Sequence, residues 1–351
     1  MKTGKNIFGC FIAGILIIVF LQQYARQKEG FPNGFNRTII QGILEPPVLT
    51  GLKINSYYII GFSNDRIYLG NHARSRQILE LPYDLGHVDT SWLNIKDSVL
   101  FGWGAATIHK QGNSFYLAEG VTPCIIGFPK TDTIGTVLET GTNHFDLILP
   151  SERSFVFRTY DTSVHRNVLA YAQYGKRSLT IPALLKDQQD GVFSTDGMLL
   201  YDSLSARFLY IYYYRNQLMS FDNNLKNVIH GNTIDTVTRA KIQIHEIRSE
   251  HSITFSAPPL KVNKLGCTFH GLLFIYSGLR ADNEMGKIAH KSSPIDVYKI
   301  NDFKYLGSFY IPNYDGKGIR DMAIYNDKLV ALRESEITIY NLHLSSFITK
   351  K

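Results

Sequence analysis

Six times along this chain a polar turn runs straight into a short apolar strand. The turns and strands are Asn64-Asp65 into Arg66–Gly70, Gly112-Asn113 into Ser114–Glu119, and Ser151-Glu152 into Ser154–Tyr160. The same pattern returns at Ser205-Ala206 into Phe208–Tyr214, His270-Gly271 into Leu272–Ser277, and Asn326-Asp327 into Leu329–Arg333. The spacing is irregular, roughly 40 to 65 residues, which is the range of propeller blades carrying loop insertions. A unit of that size cannot bury its apolar face alone, so it must stack on its neighbours. The repeat therefore restricts the architecture strongly and says nothing about a ligand.

Each copy has a companion strand with period-2 alternation. These are Gln77–Leu81, Ile125–Phe128, Val168–Tyr171, Leu218–Phe221, Ile295–Ile300 and Glu336–Tyr340. Alternation with turn signals at this spacing favours a propeller over a sandwich. Tyr and Phe number 21 each, and both suit pleated, half-buried surfaces. With 44% apolar and 19% charged residues, the chain is expected to form a sizeable core. The reading is an all-β chain, a β-propeller of six blades over residues 54–351. Val99–Trp103 reads as an additional strand, which keeps seven blades open, and Asp235–His251 reads as an insertion carrying a strand over Ala240–Ile247.

Ahead of the repeats, Ile7–Leu21 is an unbroken run of apolar residues and Gly. At about 1.5 Å per residue it spans roughly 22 Å, and Gln22–Ala25 extend it toward the ~30 Å of a hydrocarbon core. Gln23 stands where a cleavable signal wants a small residue. The expectation is a cytoplasmic tail over 1–6, one transmembrane signal-anchor helix over 7–25, and a linker over 26–53 broken up by Gly and Pro. The rest of the chain is expected outside the cytoplasm. Ile7-Phe8-Gly9-Cys10 has the look of a lipobox, but the apolar region follows Cys10 instead of preceding it. Cys124 and Cys267 sit in apolar strand text and are expected as buried free thiols.

The last stretch is the best formed: Ile295-Asp296-Val297-Tyr298, Tyr305-Leu306-Gly307-Ser308-Phe309, Asp321-Met322-Ala323, Asp327-Lys328-Leu329-Val330-Ala331-Leu332 and Ile337-Thr338-Ile339-Tyr340. It resembles the six-bladed propellers of the NHL and TolB-like type, and among them the uncharacterised exported bacterial propellers more than any enzyme. About 50 residues carry the resemblance well. It implies the fold and hardly constrains function.

Net charge is +7, from 37 basic and 30 acidic residues, but the basic residues are scattered. A nucleic-acid surface needs clustered Lys and Arg with interleaved aromatics, so no nucleic-acid partner is expected. Three aspartates recur at the start of strand-like text: His87-Val88-Asp89, His144-Phe145-Asp146 and Ile319-Arg320-Asp321. His87, Asp89, His144, Asp146, Arg320 and Asp321 are therefore the candidates for lining the central channel, where carboxylates bind cations or transfer protons. The competing reading is that each Asp accepts backbone N–H bonds at an inter-blade turn. Tyr210, Tyr212 and Tyr214 fall on one face of a strand and are candidates for an aromatic binding surface, against core packing between blades.

Other motifs fail on spacing. His245-Glu246 lacks a second His four residues on, so it is no zinc-protease helix. Asp187, Asp190 and Asp196 do not have calcium-loop spacing. Gly102-Trp103-Gly104 lacks the third Gly and the βαβ unit of a dinucleotide loop. No Gly-x-Ser-x-Gly elbow occurs. No catalytic residue, metal or cofactor is assigned. The function expected is a membrane-tethered, extracytoplasmic binding or scaffold module for a protein or small ligand. The alternatives are a hydrolase, lyase or metal- or quinone-dependent oxidoreductase working at the channel, and a receptor for glycan or cell-wall polymer.

Overall fold

A computed structural model describes residues 12–21, 33–96, 105–131, 133–140, 143–176, 178–247, 252–284 and 291–348. Among these are six four-stranded antiparallel sheets and one two-stranded ribbon. Blade 1 is β2 (Tyr57–Phe62), β3 (Arg66–Asn71), β4 (Gln77–Pro82) and β5 (Asp89–Trp92). Blade 2 is β6 (Thr107–Gln111), β7 (Ser114–Glu119), β8 (Cys124–Phe128) and β9 (Thr136–Thr140). Blade 3 is β10 (Phe145–Ser151), β11 (Ser154–Asp161), β12 (Arg166–Gln173) and β13 (Leu179–Ile181). Blade 4 is β14 (Gly197–Asp202), β15 (Arg207–Tyr212), β16 (Gln217–Phe221) and β17 (Ile229–Asn232). The ribbon, β18 (Ile244–Ile247) with β19 (Ser252–Phe255), follows. Blade 5 is β20 (Asn263–Phe269), β21 (Leu272–Ser277), β22 (Ser292–Lys299) and β23 (Tyr305–Pro312). Blade 6 is β24 (Asp321–Tyr325), β25 (Lys328–Arg333) and β26 (Glu336–Asn341), completed by β1 (Val48–Gly51) from the other end of the chain.

That last pairing closes the ring, with Val48 opposite Ile339 and Gly51 opposite Glu336. Each repeated turn of the sequence joins the first and second strands of a blade, and each companion strand is a third strand. The second strands read as unbroken apolar runs because both of their faces are buried. In β25, Leu329 and Ala331 face the core shared with blade 5, while Val330 and Leu332 face the core shared with blade 1. In β7, Phe115 and Leu117 face blade 1 and Tyr116 and Ala118 face blade 3. The main core is thus six radial layers, one between each pair of neighbouring blades. A fully buried Leu, Ile, Val or Phe in such a layer contributes about 1.5–3 kcal/mol.

Residues 33–51, expected within a linker, are built into the propeller. Ile40 N donates to Ser308 O at 2.8 Å and Ser308 N to Thr38 O at 2.8 Å, so this stretch runs along the outer edge of blade 5. Arg37 is 3% exposed and meets Asp296 at 2.7 Å and Glu284 at 2.8 Å. Gly and Pro interrupt regular structure here, but a buried charge and edge-strand pairing fix the chain without it. Residues 12–21 are helical, with apolar side chains such as Leu16 and Phe20 exposed. No helix among the described residues is long and apolar enough to cross a membrane. The extra strand expected over Val99–Trp103 lies outside the described residues. Cys124 and Cys267 are buried free thiols in different inter-blade layers.

The channel mouth as candidate functional site

Strands β2, β6, β10, β14, β20 and β24 each end their sheet, so each turns one unpaired backbone edge toward the axis. Together they line a cavity of about 480 Å³, with Tyr58, His109, Lys110, Leu149, Tyr201 and Cys267 among its walls. Burial and the nearby His144 hold the His109 imidazole down at about 4, so it is neutral at pH 7. Burial raises the Cys267 thiol well above its ordinary range, which makes it a poor nucleophile. Antiparallel order puts the starts of first and third strands, and the ends of second and fourth, on one face of the ring; we call it the upper face.

The sequence candidates fall at separate places. Asp89 opens β5, the outermost strand of blade 1, and pairs with Arg66 at 2.6 Å and His87 at 3.1 Å. The His87 side chain is 87% exposed. Asp89 and His87 therefore stand on the outer rim and do not line the channel. Alternation along a strand fixes its faces and cannot tell a first strand from a fourth. Asp321 does open an inner strand, β24. Its Oδ2 accepts the Ile59 N–H of blade 1 at 2.8 Å, and burial raises its carboxyl. Arg320 beside it donates to Tyr57 O and, at 2.9 Å, to Glu334 O. The pair braces blade 6 against blade 1, in agreement with the backbone-accepting reading.

Asp146 is the second residue of β10, at the upper mouth, with φ of 46° in the left-handed region and within a register shift between Phe145 and Ile148. His144 just before it is buried against the Phe157 ring at 5.7 Å. Arg158 of β11 donates Nε to Asp146 at 3.1 Å and Nη1 to Asp196 at 2.5 Å. Asp196 lies immediately before β14, so this one guanidinium clamps blade 3 to blade 4. Burial is the largest effect on Asp146 and raises its carboxyl, with Asp196 acting the same way against Arg158. Tyr213 follows β15, its N–H donating to Asp196 O at 3.0 Å, and Lys261 stands over its ring at 4.0 Å. Burial raises the Tyr213 hydroxyl and lowers the Lys261 ammonium. Carboxylates, guanidinium, phenol and ammonium from blades 3, 4 and 5 thus share one side of the mouth.

A second, polar pocket of about 440 Å³ adjoins it, between the turn after β21 and the loop entering β24. Sequence reading passed over Arg158, Tyr213, Lys261 and this pocket. The available signal was Arg158 itself, a charge directly after the apolar run Phe155-Val156-Phe157 and within the same strand.

Tyr210 and Tyr212, 0% and 4% exposed, belong to the layer between blades 3 and 4, and Tyr214, 7% exposed, packs beneath the ribbon. They are core residues, not an aromatic surface. Tyr210 Oη donates to Thr195 O at 2.6 Å, so its polar end is satisfied internally. Asp190 accepts the N–H groups of Val192 at 2.8 Å and Phe193 at 2.5 Å, so it caps the turn after it. Among the described residues no group of three or more His, Cys, Asp or Glu is placed to hold a metal ion. His251 and Gly102-Trp103-Gly104 lie outside the described residues.

No sequence-family profile matches the chain, and no curated protein does. Among solved structures it is similar to a member of the DUF4221 family from Bacteroides vulgatus, at 11% identity and a TM-score of 0.54, over 88% of this chain and 99% of that one. YCF48 bound to D1 peptide aligns over 88% of this chain and 97% of that one, at 9% identity and a TM-score of 0.47. The nidogen/laminin complex aligns over 74% and 80%, at 10% identity and a TM-score of 0.44. At such identities likeness speaks to architecture alone, and on that the first of these agrees with the sheet order: the chain is a six-bladed β-propeller.

Proposed function

We propose that this chain is a membrane-tethered, extracytoplasmic propeller that binds a protein or small ligand at the upper mouth of its channel. The observation that carries the reading is the mouth itself: Asp146, Arg158, Asp196, Tyr213 and Lys261 meet there beside an open pocket. Partly desolvated charges and an aromatic ring gathered at one concave place are what ligand recognition uses. The tether rests on Ile7–Leu21, whose apolar side chains need a non-aqueous partner.

Two measurements test it. On fractionation, the full chain is expected with membranes after a high-salt wash and in solution only after detergent, while a chain starting at residue 33 is soluble throughout. A full chain recovered in the salt wash overturns the tether. Capture from detergent-solubilised membranes is expected to recover a partner that Tyr213→Ala loses at least tenfold; recovery that is absent, or indifferent to this substitution, overturns the mouth.

A further inference from the structure

The pocket on the blade 5 side of the mouth has a charge balance that specifies what it takes. Among the described residues, three that line it are charged: Lys264, Arg280 and Glu284. The Glu284 carboxylate is fully engaged. Its Oε2 accepts Arg37 Nη1 at 2.8 Å and Ala281 N at 2.7 Å, and its Oε1 accepts Tyr310 Oη at 2.7 Å. Arg37 arrives from the N-terminal segment and is buried behind the pocket, where it is shared between Glu284 and Asp296 and offsets one of their two charges.

The two cations are left facing the cavity. Lys264 meets no carboxylate within ion-pair distance among the described residues; its Nζ stands 3.4 Å from Tyr276 Oη. Arg280 donates Nε at 2.8 Å and Nη2 at 2.6 Å to the Glu284 carbonyl, which pins its guanidinium plane beside the pocket. The remaining wall is hydroxyl, amide and glycine: Ser277, Ser292, Asn313, Gly316 and Gly318. At Gly318 a Cβ would stand 2.7 Å from Tyr276 Oη, so backbone itself forms the wall there. Among the described lining residues the apolar surface comes from Leu279, Pro294 and the Tyr276 ring, too little for a fatty tail.

We propose that this pocket binds a small hydroxylated carboxylate, the chemistry of an acidic sugar, with Lys264 and Arg280 holding the carboxylate and the hydroxyl and amide groups holding the body. This deepens, and rests on, the reading of the propeller as a binding module. Arg37, Lys264 and Arg280 against Glu284 and Asp296 leave one positive charge in excess, which a monoanion balances, and charge-assisted bonds to a carboxylate are stronger than neutral ones. A cavity of about 440 Å³ is at the small end of ligand pockets, the size class of one or two sugar rings.

The test titrates the full-length protein in detergent with D-glucuronate, D-galacturonate, D-glucose and D-glucose 6-phosphate, by calorimetry or ligand-observed NMR. Glucuronate or galacturonate is expected to bind with Kd on the order of 0.1–1 mM, at least tenfold tighter than glucose. Lys264→Met and Arg280→Met are each expected to weaken it tenfold or more, and raising salt from about 0.05 to 0.5 M to weaken it several-fold. Lys264 is half-buried at the mouth, so its variant is checked for folding by its melting temperature. Uronates that do not bind, glucose that binds as well, or a folded Lys264→Met variant with unchanged affinity overturns the proposal. Tighter binding of the phosphate reassigns the anion and overturns the carboxylate. If uronates fail while the Tyr213-dependent capture from membranes persists, the ligand class is wrong and the binding module stands; loss of that capture alone fails the module.

Discussion

At the scale of a residue, burial decides how much an ion pair matters. Arg37 is sealed between Glu284 and Asp296, with Ser308 also donating to Asp296 at 2.6 Å. Arg37→Met leaves two buried carboxylates without their cation, and is expected to cost about 3–5 kcal/mol. Lys317 and Glu334, both half-exposed, sit 3.3 Å apart; Lys317→Ala is expected to cost under ~1 kcal/mol. Urea titrations of the two variants check the contrast, and equal losses would sink it. Tyr210→Phe removes one buried hydrogen bond and is expected to cost about 1–2 kcal/mol, with capture at the mouth unchanged. A binding loss from that substitution at intact stability would return the tyrosine to the surface.

Among elements, the contact between β24 and β2 carries a pH signature. The Asp321 carboxyl is buried and raised, so its uncharged form suits the folded state. A group raised on folding contributes stability that is complete below its unfolded value and is lost as pH rises through the native one. Asn at this position keeps an acceptor for the Ile59 N–H and does not ionise. The stability of the wild type relative to Asp321→Asn is therefore expected to fall from pH 4 to pH 7. Denaturant midpoints across that range would show it, and a difference flat with pH would refute the assignment.

For the whole molecule, closure is the decisive feature. β1 covers the outer edge of β26, and Arg37 and Ile43 fasten the same segment to blades 5 and 6. A chain beginning at residue 53 exposes that edge and uncovers Glu284 and Asp296. It is expected to melt at least about 10 °C lower, given ~2–4 °C per kcal/mol at this size. The bare edge strand is also expected to self-associate. Differential scanning calorimetry and light scattering read both outcomes; an unchanged melting temperature would mean that the ring does not depend on this strand.

The blade count was legible locally. A second strand buried on both faces must be apolar without interruption, and a two-residue turn must be polar, so six copies of that junction mark six blades. The fourth strands of blades 1 and 3, Asp89–Trp92 and Leu179–Ile181, are short and half-exposed, and in sequence they are indistinguishable from first strands. That is why His87 and Asp89 were expected at the channel and stand on the rim. The tyrosines of β15 alternate as a binding strip would, and only the neighbouring blade turns that strip into core. The chain's own residues thus determined its strands, its turns and its repeat, because those depend on contacts a few residues long. Tertiary structure alone decided which charges meet, as Arg158 with Asp196 and Arg37 with Glu284 do, because such pairs join segments 38 and 247 residues apart, brought together by the stacking of blade on blade and by the N-terminal segment folding back on blade 5.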